Sequence, residues 1–146
     1  MIRAALAALC ILCGISAVAA AAEARMESTY FVTSDGVRLH VLEAAPRTPR
    51  APVIAFVPGW SMPAAIWTAQ LAAFAKDYRV AALDPRGQGL SEVPSSGYSA
   101  ERRADDIAEF VARYPKVVLV GWSLGALEAL QYVPKLCFPT SCQALH

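Results

Sequence analysis

The stretch VVLVGWSLGALEAL, running from Val117 to Leu130, decides how the rest of the chain is read. It begins with a short apolar, β-branched run, Val117-Val118-Leu119-Val120, the pattern of a strand buried on both faces. It then turns through Gly121-Trp122-Ser123-Leu124-Gly125 and leaves as an alanine- and leucine-rich helix. A G-x-S-x-G pentapeptide between strand and helix makes a turn so sharp that Gly121, Gly125 and Ala126 have to be small. The turn lifts the Ser123 hydroxyl clear of the sheet, and the helix that follows points free N–H groups toward any nearby anion. Ser123 is the candidate nucleophile.

Working outward, 146 residues allow one small domain at most. A net charge of +1 offers no basic field for nucleic acid and no acidic tail. The hydrophobic fraction of 56% is high, and much of it lies in residues 1–24, which read as a secretory signal peptide. Arg3 supplies the positive start and Ala4 to Ala19 the apolar core. Ala20-Ala21-Ala22 or Ala22-Glu23-Ala24 supplies the small-residue cleavage site. The expectation is export to the periplasm or medium, with no stable membrane association after cleavage; an uncleaved signal anchor is the alternative. Cys10 and Cys13 fall inside this leader, and the residues before each are too bulky for a lipoprotein cleavage site. Cys137 and Cys142 could pair in an oxidising compartment. With no histidine cluster beside them, a zinc site is not expected.

Ser28 to Thr33 is β-rich and ends at the turn tripeptide Ser34-Asp35-Gly36; Val37 to Leu42 alternates like a half-exposed strand. The two form an antiparallel hairpin, with His40 read as a surface or core histidine. Ala44 to Pro52 is a proline-broken loop, Val53 to Val57 a buried strand, and residues 64 to 75 a helix with Trp67, Leu71 and Phe74 on its core face. Arg79 to Leu83 is another buried strand. Ser99 caps a helix that runs to about Arg113 and buries Ile107, Phe110 and Val111, leaving Asp105 and Asp106 on its solvated surface. Strand–helix alternation of this kind gives a mostly parallel sheet with right-handed crossovers and helices on both faces.

Three motifs then stand in order. They are Pro58-Gly59-Trp60 after the third strand, Asp84-x-Arg86-Gly87-x-Gly89-x-Ser91 after the fourth, and Gly121-x-Ser123-x-Gly125 after the fifth. Across about residues 28 to 133 the chain resembles the N-terminal portion of the α/β-hydrolase fold family, near its serine esterase and peroxidase-like branch. The resemblance implies an oxyanion hole made by the backbone N–H groups of Trp60 and Leu124. It also implies that Asp84 and Arg86 fix loops rather than react. Many relatives have histidine where this chain has Pro58. Serine at position 123 argues against the dehalogenase branch, which carries aspartate there. A patatin-like or acyl-carrier transferase reading explains neither Pro58-Gly59-Trp60 nor the Asp84 segment.

The implied activity is hydrolysis of a small ester or related acyl substrate through a Ser123 acyl-enzyme, with no metal or organic cofactor. Such a serine needs a base, and the base an acid. Past Ser123 the chain has only Glu128, read as exposed on the helix surface, and His146. Residues 134–146 read as an atypical tail that abandons helical periodicity, as after a truncation or frameshift. The alternative expectation is therefore a catalytically inactive, truncated hydrolase-like fragment. An exposed apolar sheet edge at Val117 to Val120 is expected with it. Oligomeric state, acyl group and leaving group are not legible.

Overall fold

In the computed structural model, described for residues 25–137, five strands and three helices build one sheet with helices on both faces. The elements are β1 (Glu27–Val32), β2 (Arg38–Ala44), β3 (Arg50–Val57), α1 (Thr68–Phe74), β4 (Tyr78–Leu83), α2 (Ala100–Val111), β5 (Val117–Gly121) and α3 (Leu124–Cys137). A short 3-10 turn, Ala64–Trp67, leads into α1. The strand order is β1-β2-β4-β3-β5: β1, β2 and β4 pair antiparallel, while β3 runs parallel to both β4 and β5. The hairpin leading into parallel strands that the sequence implied is present, and with two antiparallel and two parallel pairings the described sheet is mixed. The leader, Cys142 and His146 lie outside the described residues. Among those described, no helix is long and apolar enough to cross a membrane.

Two apolar layers sandwich the sheet. Leu39, Val41, Ala55, Val57, Ala81 and Leu83 meet Ala104, Ile107 and Phe110 of α2 and Tyr132 of α3 on one face. Ala44, Phe56, Val80 and Ala82 meet Ala64, Leu71 and Ala75 on the other. The alternation of neighbouring residues between the two layers is the period-2 geometry of a strand covered on both sides. Phe56 stacks on Trp67 with ring centroids 4.9 Å apart. Trp67 is partly buried there, whereas Phe74, expected in the core, is 43% exposed because α1 is only two turns long and ends beside it.

Several expectations need correction. β2 is mostly buried, because both of its faces are covered: Leu39 and Val41 join one apolar layer, and Leu42 and Ala44 the other. β3 begins at Arg50, inside the stretch read as a loop, and accommodates Pro52 through a register shift between Arg50 and Ile54. A proline has no N–H to give the ladder, so an irregularity there is the expected adjustment. β5 is not buried on both faces: it stands at the sheet edge of the described residues, half-buried, with Val118 48% exposed. Its outer ladder has no partner among those residues. α3 continues as a helix through Cys137, four residues past the point where helical periodicity was read as ending. Pro134 lies within it and removes one N–H from the helical ladder.

Candidate active site

The turn after β5 is held by close backbone contacts. A Cβ on Gly121 would lie 2.6 Å from the Ala126 Cα, and one on Gly125 would collide with the carbonyls of Val57 and Pro58. Both positions therefore admit only glycine without rearrangement. Ser123 takes a φ of 52°, in the left-handed region that costs an L-residue about 1–2 kcal/mol. The Trp122 N–H donates to the Val57 carbonyl at 3.0 Å, fastening the turn to β3. The N–H groups of Gly125 and Ala126 then donate to Trp122 and Ser123 carbonyls at 2.9 and 3.0 Å. Leu124, the first residue of α3, stands ahead of that ladder, where helix N–H groups lack intrahelical acceptors.

The loop after β3 comes to the same place. A Cβ on Gly59 would sit 3.1 Å from the Ser123 Cβ and 3.2 Å from Trp122 Cδ1, so the Pro58-Gly59-Trp60 backbone lies directly against the serine. Trp60 itself is 67% exposed, and Ser61 beside it has a φ of 56°. A cavity of about 290 Å³ opens beside this loop, lined by Trp60, Ser61, Gln88, Tyr98 and Arg103 among others. Ser123, Trp60 and Leu124 thus belong to one neighbourhood at the carboxyl end of the parallel strands, where open α/β sheets place their ligands.

Asp84 fixes the loop that carries Trp60. Its carboxylate accepts from the Ala64 N–H at the start of the 3-10 turn, from the Leu90 N–H at 2.8 Å, and pairs with His40 Nδ1 at 2.8 Å. Gln88 Oε1 adds a bond from the Met62 N–H at 2.9 Å. One buried carboxylate therefore ties β2, the loop after β3 and the loop after β4. His40 is buried with Asp84, packs its ring against Tyr30 at 5.1 Å, and leaves Nε2 without a partner. It is a core histidine rather than a surface one.

Arg86, fully buried, forms a fork onto Asp106 with two bonds of 2.6 Å and reaches Asp35 in the hairpin turn at 3.0 and 3.2 Å. The bonds to Asp106, and then to Asp35, raise its pKa further above the ordinary guanidinium range. Bonds from Arg86 and Thr33 hold the Asp35 carboxyl well below the usual carboxylate range. Arg102 joins the cluster, bonding Asp106 at 3.1 Å and Glu109 at 2.7 Å.

Two acidic residues read as solvent-facing are buried. Asp106 is 3% exposed and is the carboxylate that neutralises Arg86. Glu128 is 4% exposed and accepts from Arg103 Nε of α2. Helical spacing held the clue for Asp106: Arg103, Asp106, Ile107 and Phe110 share one face of α2, and that face was already read as buried. For Glu128 the only sequence clue was a buried arginine 25 residues earlier. Neither carboxylate is paired with a histidine among the described residues. Among the described residues, no group of histidine, cysteine and carboxylate side chains could hold a metal ion.

Comparison with known proteins agrees with this geometry. A family model for the "Alpha/beta hydrolase family" matches residues 54–143. That match runs into residues 134–143, part of the tail expected to be atypical. The chain is similar to a bifunctional esterase/perhydrolase of Acinetobacter calcoaceticus, 39% identical over 110 residues, covering 73% of this chain and 39% of that protein. It is similar to a non-heme chloroperoxidase of Streptomyces lividans, 35% identical over 106 residues, covering 70% of this chain and 38% of the other. The solved structure of an alpha/beta hydrolase from Novosphingobium aromaticivorans superposes with a TM-score of 0.68 at 28% identity, over 77% of this chain and 40% of that one. The chain spans less than two fifths of the length of these two curated relatives. On family match, sequence identity and fold together, the chain belongs to the α/β hydrolase family.

Proposed function

We propose that this chain carries the nucleophile half of a serine hydrolase site for a small ester or related acyl substrate. The observation that carries the reading is Ser123, held at a φ of 52° on the strand–helix turn with the Gly59 backbone packed against it. In this mechanism the Ser123 Oγ gives its proton to a base and attacks the ester carbonyl. The alcohol leaves carrying that proton, and water then cleaves the acyl-enzyme to the carboxylic acid and free serine. The N–H groups of Trp60 and Leu124 stabilise the tetrahedral oxyanion, an interaction typically contributing about 3–4 kcal/mol per donor. The relatives named as an esterase/perhydrolase and a pimeloyl-[acyl-carrier protein] methyl ester esterase favour a carboxylic ester as the substrate class. Export through the alanine-rich leader, to the periplasm or medium, is part of the same proposal. The stated test is labelling of the full chain by a fluorophosphonate probe beside Ser123→Ala. Specific labelling of Ser123 supports the reading, and a folded chain that labels neither alone nor with a second polypeptide ends it.

A second reading has its own observation. His40 is the one histidine among the described residues, and it is held by Asp84 in the core. No histidine base faces Ser123 among those residues, which supports reading the chain as a catalytically inactive hydrolase-like fragment. Labelling that appears only when a second polypeptide is added would decide for this reading with a base supplied in trans.

A further inference from the structure

We infer that the end of the sheet opposite Ser123 is a binding site for a small polyanion of the diphosphate class. A cavity of about 440 Å³ opens there at the amino ends of β3, β4 and β5. Four cationic side chains line it: Arg50 at the start of β3, Arg79 in β4, and Arg113 and Lys116 on the link from α2 to β5. Among the described residues, Glu43 of β2 is the only carboxylate in its wall.

Glu43 organises the cluster. It is 8% exposed, and one carboxylate oxygen accepts from Thr29 Oγ1 at 3.0 Å, Arg113 at 3.0 Å and the Tyr114 hydroxyl at 2.8 Å. The other accepts from Arg79 at 3.4 Å. Arg113 is further held over the rings of Phe31 and Tyr114, 5.2 and 5.5 Å from their centroids. Two guanidinium groups are thereby fixed in place before any ligand arrives, which lowers the ordering cost of binding. A single buried carboxylate is satisfied by those two. Arg50 and Lys116 are surplus to it.

Outside the cavity wall, Asp77 lies 3.7 Å from Arg50, with both side chains more than half exposed, and such a pair offsets little charge. The adjoining cavity beyond Glu43 adds Arg25 and Glu27, which cancel. The site therefore keeps a net positive charge. The cations stand on three separate segments around a space larger than one phosphate, so a ligand that reaches several of them needs at least two anionic groups. Arginine forks favour phosphate or carboxylate oxygens. The described wall residues come from β2, the β2–β3 loop, β3, β4 and the α2–β5 link, away from the free outer ladder of β5.

The test is calorimetric titration of the full chain with pyrophosphate at low salt, with variants checked for folding by circular dichroism. We expect one saturable site, weakened by added salt and unchanged in Ser123→Ala. Arg113→Ala should abolish binding, but it also uncovers Glu43 and could unfold the chain. Arg50→Ala and Lys116→Ala leave Glu43 untouched and should each weaken binding about fivefold. Vesicles of phosphatidylcholine doped with phosphatidylglycerol separate two sources of the same chemistry. Vesicle association competed away by pyrophosphate points to a lipid headgroup, and its absence beside saturable pyrophosphate binding points to a free phosphate compound. Non-saturable uptake, or affinity unchanged in an Arg50→Ala/Lys116→Ala double variant, overturns the proposal.

Discussion

The two margins of the surroundings of Ser123 are built in opposite ways. On the β4 side, the buried carboxylates Asp84 and Asp106 and the guanidinium of Arg86 are matched with partners, and these bonds lock three loops. On the β5 side, Val118, Trp122, Leu127 and Leu130 are 48%, 56%, 64% and 66% exposed, and no charged pair crosses the outer ladder among the described residues. Arg103 to Glu128 is the one described ion pair that reaches α3. Ser123 lies where the two meet. The loop packed against it is held by the tight side and the helix after it by the loose one, so the proposed site would inherit its precision from the bonds of Asp84 and Arg86.

Breaking the tight side should have the largest effect. Arg86→Ala takes from Asp106 both of its 2.6 Å bonds and leaves Arg102 as the one cation beside Asp106 and Asp35 among the described residues. Removing one partner of a buried pair typically costs about 3–5 kcal/mol. A urea titration showing less than about 1 kcal/mol would mean that water or Arg102 replaces the lost partner. Next comes the turn that joins the two sides. Gly121→Ala places a methyl group 2.6 Å from the Ala126 Cα and should cost about 1–3 kcal/mol. Fluorophosphonate labelling should fall with it; unchanged stability and labelling would show that α3 can slide away from the strand.

Asp35 sharpens the comparison through pH. Because Arg86 and Thr33 hold its carboxyl below the usual range, folding favours the ionised form. That contribution is complete above the ordinary aspartate value of roughly 4 and is lost as pH falls toward the depressed one. The side chain is 35% exposed, so solvent screening limits it to about 1 kcal/mol. Asp35→Asn should destabilise the chain near neutrality and converge with the parent in acid. A difference that stays constant with pH would contradict this. The smallest effect belongs to the loose side: Val118→Lys should change stability by no more than about 0.5 kcal/mol while reducing self-association, read by light scattering. Association that persists would place the sticky surface elsewhere.

What could be read from the chain alone follows the range of the interactions. The elbow was legible because strand, glycines, serine and helix lie within 14 residues, each obeying a local rule. The parallel sheet followed from alternation, and the Ser99 cap from its position; its hydroxyl accepts from the Arg102 N–H at 3.3 Å. Asp106 and Glu128 were misread because local pattern scores a charge as a surface residue, while their partners lie 20 and 25 positions away. The Glu43 cluster was invisible for the same reason, since it gathers groups from positions 29, 79, 113 and 114. Trp60 and Leu124 were named from a resemblance; their backbone neighbourhood could be seen only with the loop after β3 and the elbow in one frame.

The left-handed backbone at Ser123 carries a consequence for how variants of this protein should be compared. Alanine at that position inherits the strain of the serine and loses only its hydroxyl, so Ser123→Ala is a fair inactive control. Glycine would relax it, and Ser123→Gly should melt higher than Ser123→Ala despite a more flexible unfolded chain, provided the relief of about 1–2 kcal/mol exceeds the entropy glycine adds. Selection for robustness alone would thus drift toward glycine at residue 123. A serine kept there is a position where mutational pressure for stability and pressure for chemistry point in opposite directions.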